Sequence, residues 1–176
     1  FQIKILICAV KRDRDVYIPD GEFVLRSNDK IYLSASHAEL ERFFDAIGKR
    51  SHKIKNVIIC GGGRVSYYLA QQLLSVGMNV KIIEVNHDTC ELLCELLPKA
   101  TIIHGDATDH NLLMEEGIEK ADAVVALTGM DEENIIMSLY AKMKNVSKVV
   151  AKINEDSRVQ MVERLGIESI VSAKSV

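Results

Sequence analysis

The sequence has no tryptophan and two prolines, and aromatic residues fill 5% of its 176 positions. Such a scarcity of proline excludes a proline-rich spacer, and the few aromatics exclude the stacking platforms that read single-stranded nucleic acid. An excess of positive charge is also missing: the formal net charge is −3, so no global basicity points to nucleic acid. No apolar run approaches the ~20 residues needed to cross a bilayer, and no secretory signal peptide is visible. Direct membrane insertion is therefore not expected, and any membrane connection has to run through a partner. The four cysteines (Cys8, Cys60, Cys90, Cys94) form no Cys-x-x-Cys pair. Two lie in the strand-like runs ILICAV and VIIC, where a thiol behaves as a small hydrophobe. That usage fits a reducing, cytoplasmic compartment better than a disulfide framework.

What the sequence does have is apolar content, 48%, and a length that accommodates one full domain and a smaller piece. It opens on Phe1 in the middle of a strand-like run and reads as an excised part of a longer chain. From Lys55 onward, short β-rich runs alternate with amphipathic helical stretches. NVIIC (56–60) ends at three glycines. A helix follows with Val65, Leu69, Leu73 and Val76 on one stripe and Gly77 as its stop. VKIIEV is a second strand, Asp88–Leu97 a helix with Pro98 just beyond it, and ATIIHG a third strand. Thr108 or Asp109 is expected to cap a short helix that ends at Gly117.

The rhythm then repeats. ADAVVAL is a strand, and 131–144 a helix whose acidic start, Asp131-Glu132-Glu133, complements the helix dipole. KVVAK is a strand. Asn154 or Asp156 is expected to cap a helix carrying Val159, Val162 and Leu165, and ESIVS forms a sixth strand. Strands joined by helices imply parallel pairing through right-handed crossovers, here an α/β, Rossmann-like doubly wound sheet in the order 3-2-1-4-5-6.

The first 48 residues follow a different pattern. QIKILICAV is strand-like, Pro19-Asp20-Gly21 a turn, and GEFVLRS is expected to pair with KIYLSAS across Ser27-Asn28-Asp29. Ser36 and Glu39 form a capping box for a helix carrying Leu40, Phe43, Phe44 and Ile47. This is a small α+β piece (1–48). Residues 49–55, with Lys49, Arg50, Lys53 and Lys55, read as a solvated linker, and residues 56–176 as the larger domain.

Gly61-Gly62-Gly63-Arg64-Val65-Ser66 sits between a strand and a helix, the context in which a Gly-x-Gly-x-x-Gly-like motif holds a pyrophosphate. Gly61 permits the tight turn. Gly63 lets the backbone approach a phosphate, and Ser66 stands where a third glycine is usual. Glu84 ends the second strand 23 positions after Gly61, where an acid accepts hydrogen bonds from an adenosine ribose and repels a 2′-phosphate. NAD(H) is the first choice of ligand, with ATP, ADP and AMP satisfying the same ribose acid.

GGGRVSYYLA, the strand ending at Glu84, Gly105-Asp106-Ala107-Thr108-Asp109, ALTGMDEEN and VVAKIN together resemble the RCK N-terminal (KTN) domain found in cytosolic regulators of potassium transport. IPDGEFVLRSNDKIYLSAS and its closing helix resemble the latter part of the companion C-terminal domain. This order suits the middle of a tandem regulator of the TrkA type. The resemblance implies that Gly61, Gly62, Gly63, Arg64 and Val65 hold phosphates and Glu84 the ribose. It places Asp106 and Ala107 beside adenine, and Thr128 and Gly129 near the phosphates or second ribose. Lys152 falls where such domains often carry a basic residue, although lysine lacks the bidentate fork of arginine.

The resemblance also implies a regulatory subunit without catalysis, peripherally associated with the inner face of the membrane. It would form a homo-oligomer, a dimer or ring, and have an integral-membrane potassium transporter or channel as partner. No set of groups for bond-making is apparent. The alternative, a small NAD-dependent oxidoreductase, requires a substrate domain that 50 residues are too few to build. His87, Cys90 and Cys94 have helical spacing but lack a fourth ligand, so no metal site is expected. His104 borders the expected pocket with no catalytic role.

Overall fold

The computed structural model describes residues 3–48, 54–167 and 169–172, and it divides into two units, Phe1–Lys53 and Ile54–Val176. In the first unit β1 (Leu6–Arg12) is central, antiparallel to β2 (Asp15–Tyr17) on one side and β3 (Lys30–Ser34) on the other. The expected pairing of GEFVLRS with KIYLSAS does not form; β3 pairs with β1 instead, and residues 22–29 run as a loop. Side-chain chemistry explains the difference. The Arg12 guanidinium donates to both Asp29 oxygens (2.8 Å each) and to the Val24 carbonyl (3.0 Å), and the Arg26 N–H donates to Asp29 (2.8 Å). These bonds occupy the loop's polar groups in place of a strand ladder. The same guanidinium, with the Arg26 N–H, holds the Asp29 carboxyl down at about 2.

Helix α1 (His37–Ala46) is capped by Ser36, whose hydroxyl accepts the Glu39 N–H. The reciprocal half of the capping box is replaced, because the Glu39 carboxylate accepts from the Lys4 N–H and from Arg42. Val10 is the only buried hydrophobic residue among the described residues of this unit. The linker expected over residues 49–55 lies mostly outside the described residues.

The second unit comprises β4 (Asn56–Cys60), α2 (Arg64–Ser75), β5 (Asn79–Glu84), α3 (His87–Leu96), β6 (Thr101–His104) and α4 (His110–Glu115). A 3-10 turn (Ile118–Lys120), β7 (Ala123–Ala126), α5 (Asp131–Met143), β8 (Lys148–Lys152), α6 (Asp156–Arg164) and β9 (Ser169–Val171) complete it. The six strands pair in parallel in the order β6-β5-β4-β7-β8-β9, the doubly wound order that the sequence implies.

Alternate residues of β4 point to opposite faces of this sheet, and both faces are covered. Val57 and Ile59 join Ala70 of α2 and Leu93 of α3, while Ile58 and Cys60 join Leu113 of α4 and Met137 and Ala141 of α5. That is why the strand is continuously apolar rather than alternating. Each such isoleucine stabilises the fold by ~1.5–3 kcal/mol through burial.

Two local expectations differ. The N-cap of α6 is Glu155, which makes no side-chain capping bond, rather than Asn154 or Asp156. Its job is done from another helix: Asp131, expected to serve the dipole of α5, is 5% exposed and accepts the N–H groups of Asn154 (2.9 Å) and Glu155 (3.0 Å). Burial disfavours its charge, but these donors outweigh burial and its pKa lies below the ordinary carboxylate value.

Candidate functional site

The residues singled out as nucleotide contacts fall at the C-terminal ends of the parallel strands or in the turns that follow them, except Arg64 and Val65, which open α2. This is the edge where open parallel sheets bind ligands. The chain leaves β4 through Gly61, whose N–H donates to the Ile83 carbonyl (2.8 Å) and whose φ is +98°. A Cβ there would lie 3.0 Å from the Leu127 carbonyl oxygen and 3.1 Å from the Thr128 Cα, so only glycine fits and the loop lies directly against the end of β7. Gly62 is closely packed by side chains, which would have to shift to admit a larger residue. A Cβ would meet Leu93 Cδ1 at 2.8 Å and Glu84 Cγ at 2.9 Å, a constraint that motif spacing alone does not reveal. Gly63 has open space where a Cβ would stand and forms the N-cap of α2 with no side-chain capping bond. The first N–H groups of α2 are thus left for an outside acceptor, with Arg64 and Val65 exposed beside them.

Glu84 is tied into this loop. Its Oε2 accepts the Gly62 N–H at 2.5 Å and its Oε1 accepts the Asn86 N–H at 2.7 Å. An ionised carboxylate offers about four lone-pair sites, so these two bonds leave acceptor capacity for the two hydroxyls of a ribose. The structure thereby brings together the glycine turn, Glu84 and the Thr128 backbone.

The other residues are placed nearby by fold rather than by contact. Asp106 accepts both the N–H (2.8 Å) and the hydroxyl (2.7 Å) of Thr108, and Asp109 caps α4 by accepting the Asn111 N–H. Ala107 packs its methyl group into the core, which leaves its backbone as what it can present. The Lys152 side chain makes no hydrogen bond or ion pair among the described residues, while its carbonyl accepts from Asn134 (2.9 Å).

Asn134 is the residue that sequence reasoning missed. It is fully buried, and its Oδ1 accepts the Thr128 N–H (2.9 Å) and lies 3.0 Å from the Thr128 hydroxyl. Its Nδ2 donates to the Lys152 carbonyl, so one amide holds the strand ends at Thr128 and Lys152 together. The signal was a lone Asn in the first turn of an apolar helix, where Asn has little intrinsic preference. Ser66 is fully buried, and its hydroxyl has no partner among the described residues.

Among the described residues no cysteine belongs to a group with ligand atoms within reach of one ion. Cys60 is buried, which pushes its thiol up to about 12. Cys90 is buried against the Glu84 carbonyl (3.4 Å), and Cys94 is exposed. The described residues contain no helix long and apolar enough to cross a membrane.

A doubly wound sheet with a glycine turn, an uncapped helix N-terminus and a strand-end acid defines the class: a Rossmann-like α/β unit with the geometry of a dinucleotide fold. The TrkA-N domain model matches residues 57–173 and the TrkA-C domain model residues 1–48. The chain belongs to the TrkA-N domain family.

Among curated relatives, the Trk system potassium uptake protein TrkA homolog 2 of Methanosarcina mazei is 34% identical over 96% of this chain and 38% of its own length. TrkA of Halomonas elongata is 32% identical over 94% of this chain and 36% of its own length. The chain thus spans less than two-fifths of these relatives.

Among solved structures, the TrkA-N domain of the inner membrane protein ybaL from Escherichia coli has a TM-score of 0.62 at 18% identity, covering 70% of this chain and 91% of that one. A GsuK channel bound to NAD has a TM-score of 0.65 at 22% identity, covering 96% of this chain and 30% of that one. The Kef C-terminal domain of Shewanella denitrificans in AMP-bound form has a TM-score of 0.59 at 20% identity, covering 69% of this chain and 73% of that one. These likenesses establish the shared fold.

Proposed function

We propose that the second unit binds an adenosine nucleotide and that the chain is part of a regulatory subunit of potassium transport. NAD(H) is the first candidate ligand, and ATP, ADP and AMP present the same ribose to Glu84. The observation that carries this reading is the Glu84 carboxylate held on the Gly62 N–H, beside the uncapped start of α2. Phosphates would meet Gly61, Gly62, Gly63, Arg64 and Val65, the ribose Glu84, and the adenine Asp106 and the Ala107 backbone. Thr128 and Gly129 stand beside the glycine turn for the phosphates or a second ribose, and Lys152 supplies an unpaired positive charge at the same sheet edge.

The names of the curated relatives support the potassium role, and the NAD and AMP complexes of the structural neighbours support the ligand class. In this reading residues 1–48 are a C-terminal-type RCK piece and residues 56–176 the N-terminal-type domain. The subunit is non-catalytic and cytoplasmic, and is held at the inner membrane face by an integral transporter or channel. It assembles as a homodimer or ring; exposed apolar residues such as Val65, Tyr68, Leu92 and Leu96 give α2 and α3 surface for such contacts. A nucleotide then regulates only by its difference in affinity between two arrangements of the assembly.

The test is calorimetric titration of NAD+, NADH, ATP, ADP and AMP against the full chain and its Glu84→Ala variant, with oligomeric state followed by light scattering. Glu84→Ala is expected to weaken binding severalfold, and unchanged affinity removes Glu84 from the site. A monomer with and without nucleotide would overturn the assembly-linked reading, and hydride transfer by the full-length protein would overturn the non-catalytic one.

A further inference from the structure

The turn after β7 and the end of β8 are joined by one side chain. Asn134, near the start of α5, is fully buried, and every hydrogen-bonding position of its amide is filled. Its Oδ1 accepts the Thr128 N–H at 2.9 Å and the Thr128 hydroxyl at 3.0 Å. Its Nδ2 donates to the Thr128 carbonyl at 3.3 Å and to the Lys152 carbonyl at 2.9 Å. A backbone N–H only donates and a carbonyl only accepts, so these partners fix which way the amide faces. On the same helix, Asp131 accepts the Asn154 and Glu155 N–H groups. The start of α5 thus holds the turn after β7 and the chain leaving β8 at once.

These bonds decide which groups stay open to a ligand. Thr128 is consumed internally: its N–H and carbonyl are bonded to Asn134, and its hydroxyl is shared among Asn134, the Met130 carbonyl (3.2 Å) and the Met130 N–H (3.3 Å). The next N–H, that of the exposed Gly129, has no acceptor among the described residues, and a Cβ there would have nothing within 4 Å. Lys152 supplies the second observation. Its carbonyl is pinned by Asn134, yet the side chain of this half-buried residue has no hydrogen bond or ion pair among the described residues. A partly desolvated cation without a counter-charge is costly, and an anion reaching this edge relieves that cost.

On the adenosine-nucleotide reading above, on which this rests, we propose that Asn134 is a positioning residue of the site. It touches no ligand; by holding Thr128 and the Lys152 carbonyl it fixes the Gly129 N–H and the Lys152 ammonium as a second anion contact. The first phosphate of a nucleotide then lies on the open start of α2, and the second on Gly129 and Lys152. Asn134 therefore governs affinity for a nucleoside diphosphate or dinucleotide and leaves affinity for a monophosphate alone.

The experiment compares AMP with ADP and NAD+ on the full chain by calorimetry. Asn134→Ala, checked for folding by circular dichroism, should weaken ADP and NAD+ roughly tenfold and AMP by less than about twofold, the loss expected for one charge-assisted hydrogen bond. Lys152→Gln should show the same split, and the double variant should lose little more than either single one, because both act on one contact. Equal weakening of AMP and ADP makes Asn134 merely structural and overturns the proposal, as do unchanged affinities. A measurement on the parent chain keeps the idea open to refutation if Asn134→Ala does not fold. The Gly129 amide resonance should shift with ADP and stay in place with AMP, and the Thr128 N–H should be protected from exchange with and without ligand. A Gly129 amide indifferent to ADP, or a Thr128 N–H that exchanges freely, overturns it. Failure of the nucleotide reading itself looks different: the parent chain then binds none of the three.

Discussion

The first unit wraps a loop around a bidentate ion pair and buries Val10, whereas the second buries successive residues of a parallel sheet against helices on both faces. The contrast shows what each kind of interaction can do. One buried valine contributes ~1.5–3 kcal/mol, yet fixing the backbone costs ~1–2 kcal/mol per residue. An ion pair such as Arg12–Asp29 specifies where a loop lies without offsetting that cost. The first unit also exposes Ile18 (88%), Val24 (74%), Leu6 (64%) and Val16 (64%).

The largest test of this comparison is to separate the units. Residues 1–48 alone should show no cooperative thermal transition by circular dichroism, and residues 54–176 alone a single sigmoidal one. A cooperative melt of the first fragment would break the contrast. Within the second unit, Asp131→Ala should cost about 2–4 kcal/mol in chemical denaturation, because it strands the Asn154 and Glu155 N–H groups at ~1–3 kcal/mol each. Asp131 has a lowered pKa in the folded state. Its contribution is therefore complete above the unfolded carboxylate value of ~3.9 and is lost as pH falls through the lower folded value. The variant should flatten that part of the acid limb.

Ser66→Ala removes a buried hydroxyl without a partner and should raise stability by about 1 kcal/mol. A loss of stability instead would mean that the hydroxyl is bonded in solution. The smallest effect is expected in the first unit. Arg12→Lys keeps the charge but loses the fork on Asp29, so the Asp29 carboxyl, held at about 2, should titrate closer to ~3.9 by NMR. In the parent chain this pair is fully present above the ordinary carboxylate value and is lost as pH falls through about 2. An Asp29 titration unmoved by the substitution would show that the Arg26 N–H holds that carboxyl unaided.

Much of the second unit was legible because its signals are local. The helical run that stops at Gly77 and the apolar run NVIIC each state an element within a dozen residues, and the handedness of crossovers then leaves few strand orders. Val65 and Val76 of the expected stripe nevertheless stand exposed, and α2 buries Ser66 and Ala70 instead. The first unit was harder to read. GEFVLRS has strand composition, but the Arg12 fork, 12 to 17 residues away in sequence, gives its neighbourhood a different set of hydrogen bonds. Asn134 was missed for a similar reason: its partners, Thr128 just past β7 and Lys152 at the end of β8, come from different segments, and nothing local marks an amide that bridges them.

By itself the sequence determined the order of elements, the doubly wound sheet and the sheet edge at which Gly61 and Glu84 lie, because periodicity and turn chemistry act over a few residues. Only the tertiary structure decided which carboxylate met which N–H. It placed Glu84 on Gly62, moved Asp131 from its own helix dipole to the start of α6, and joined Thr128 to Lys152 through Asn134. Those outcomes depend on where elements distant in sequence are packed, and a hydrogen bond is made or lost over less than an ångström.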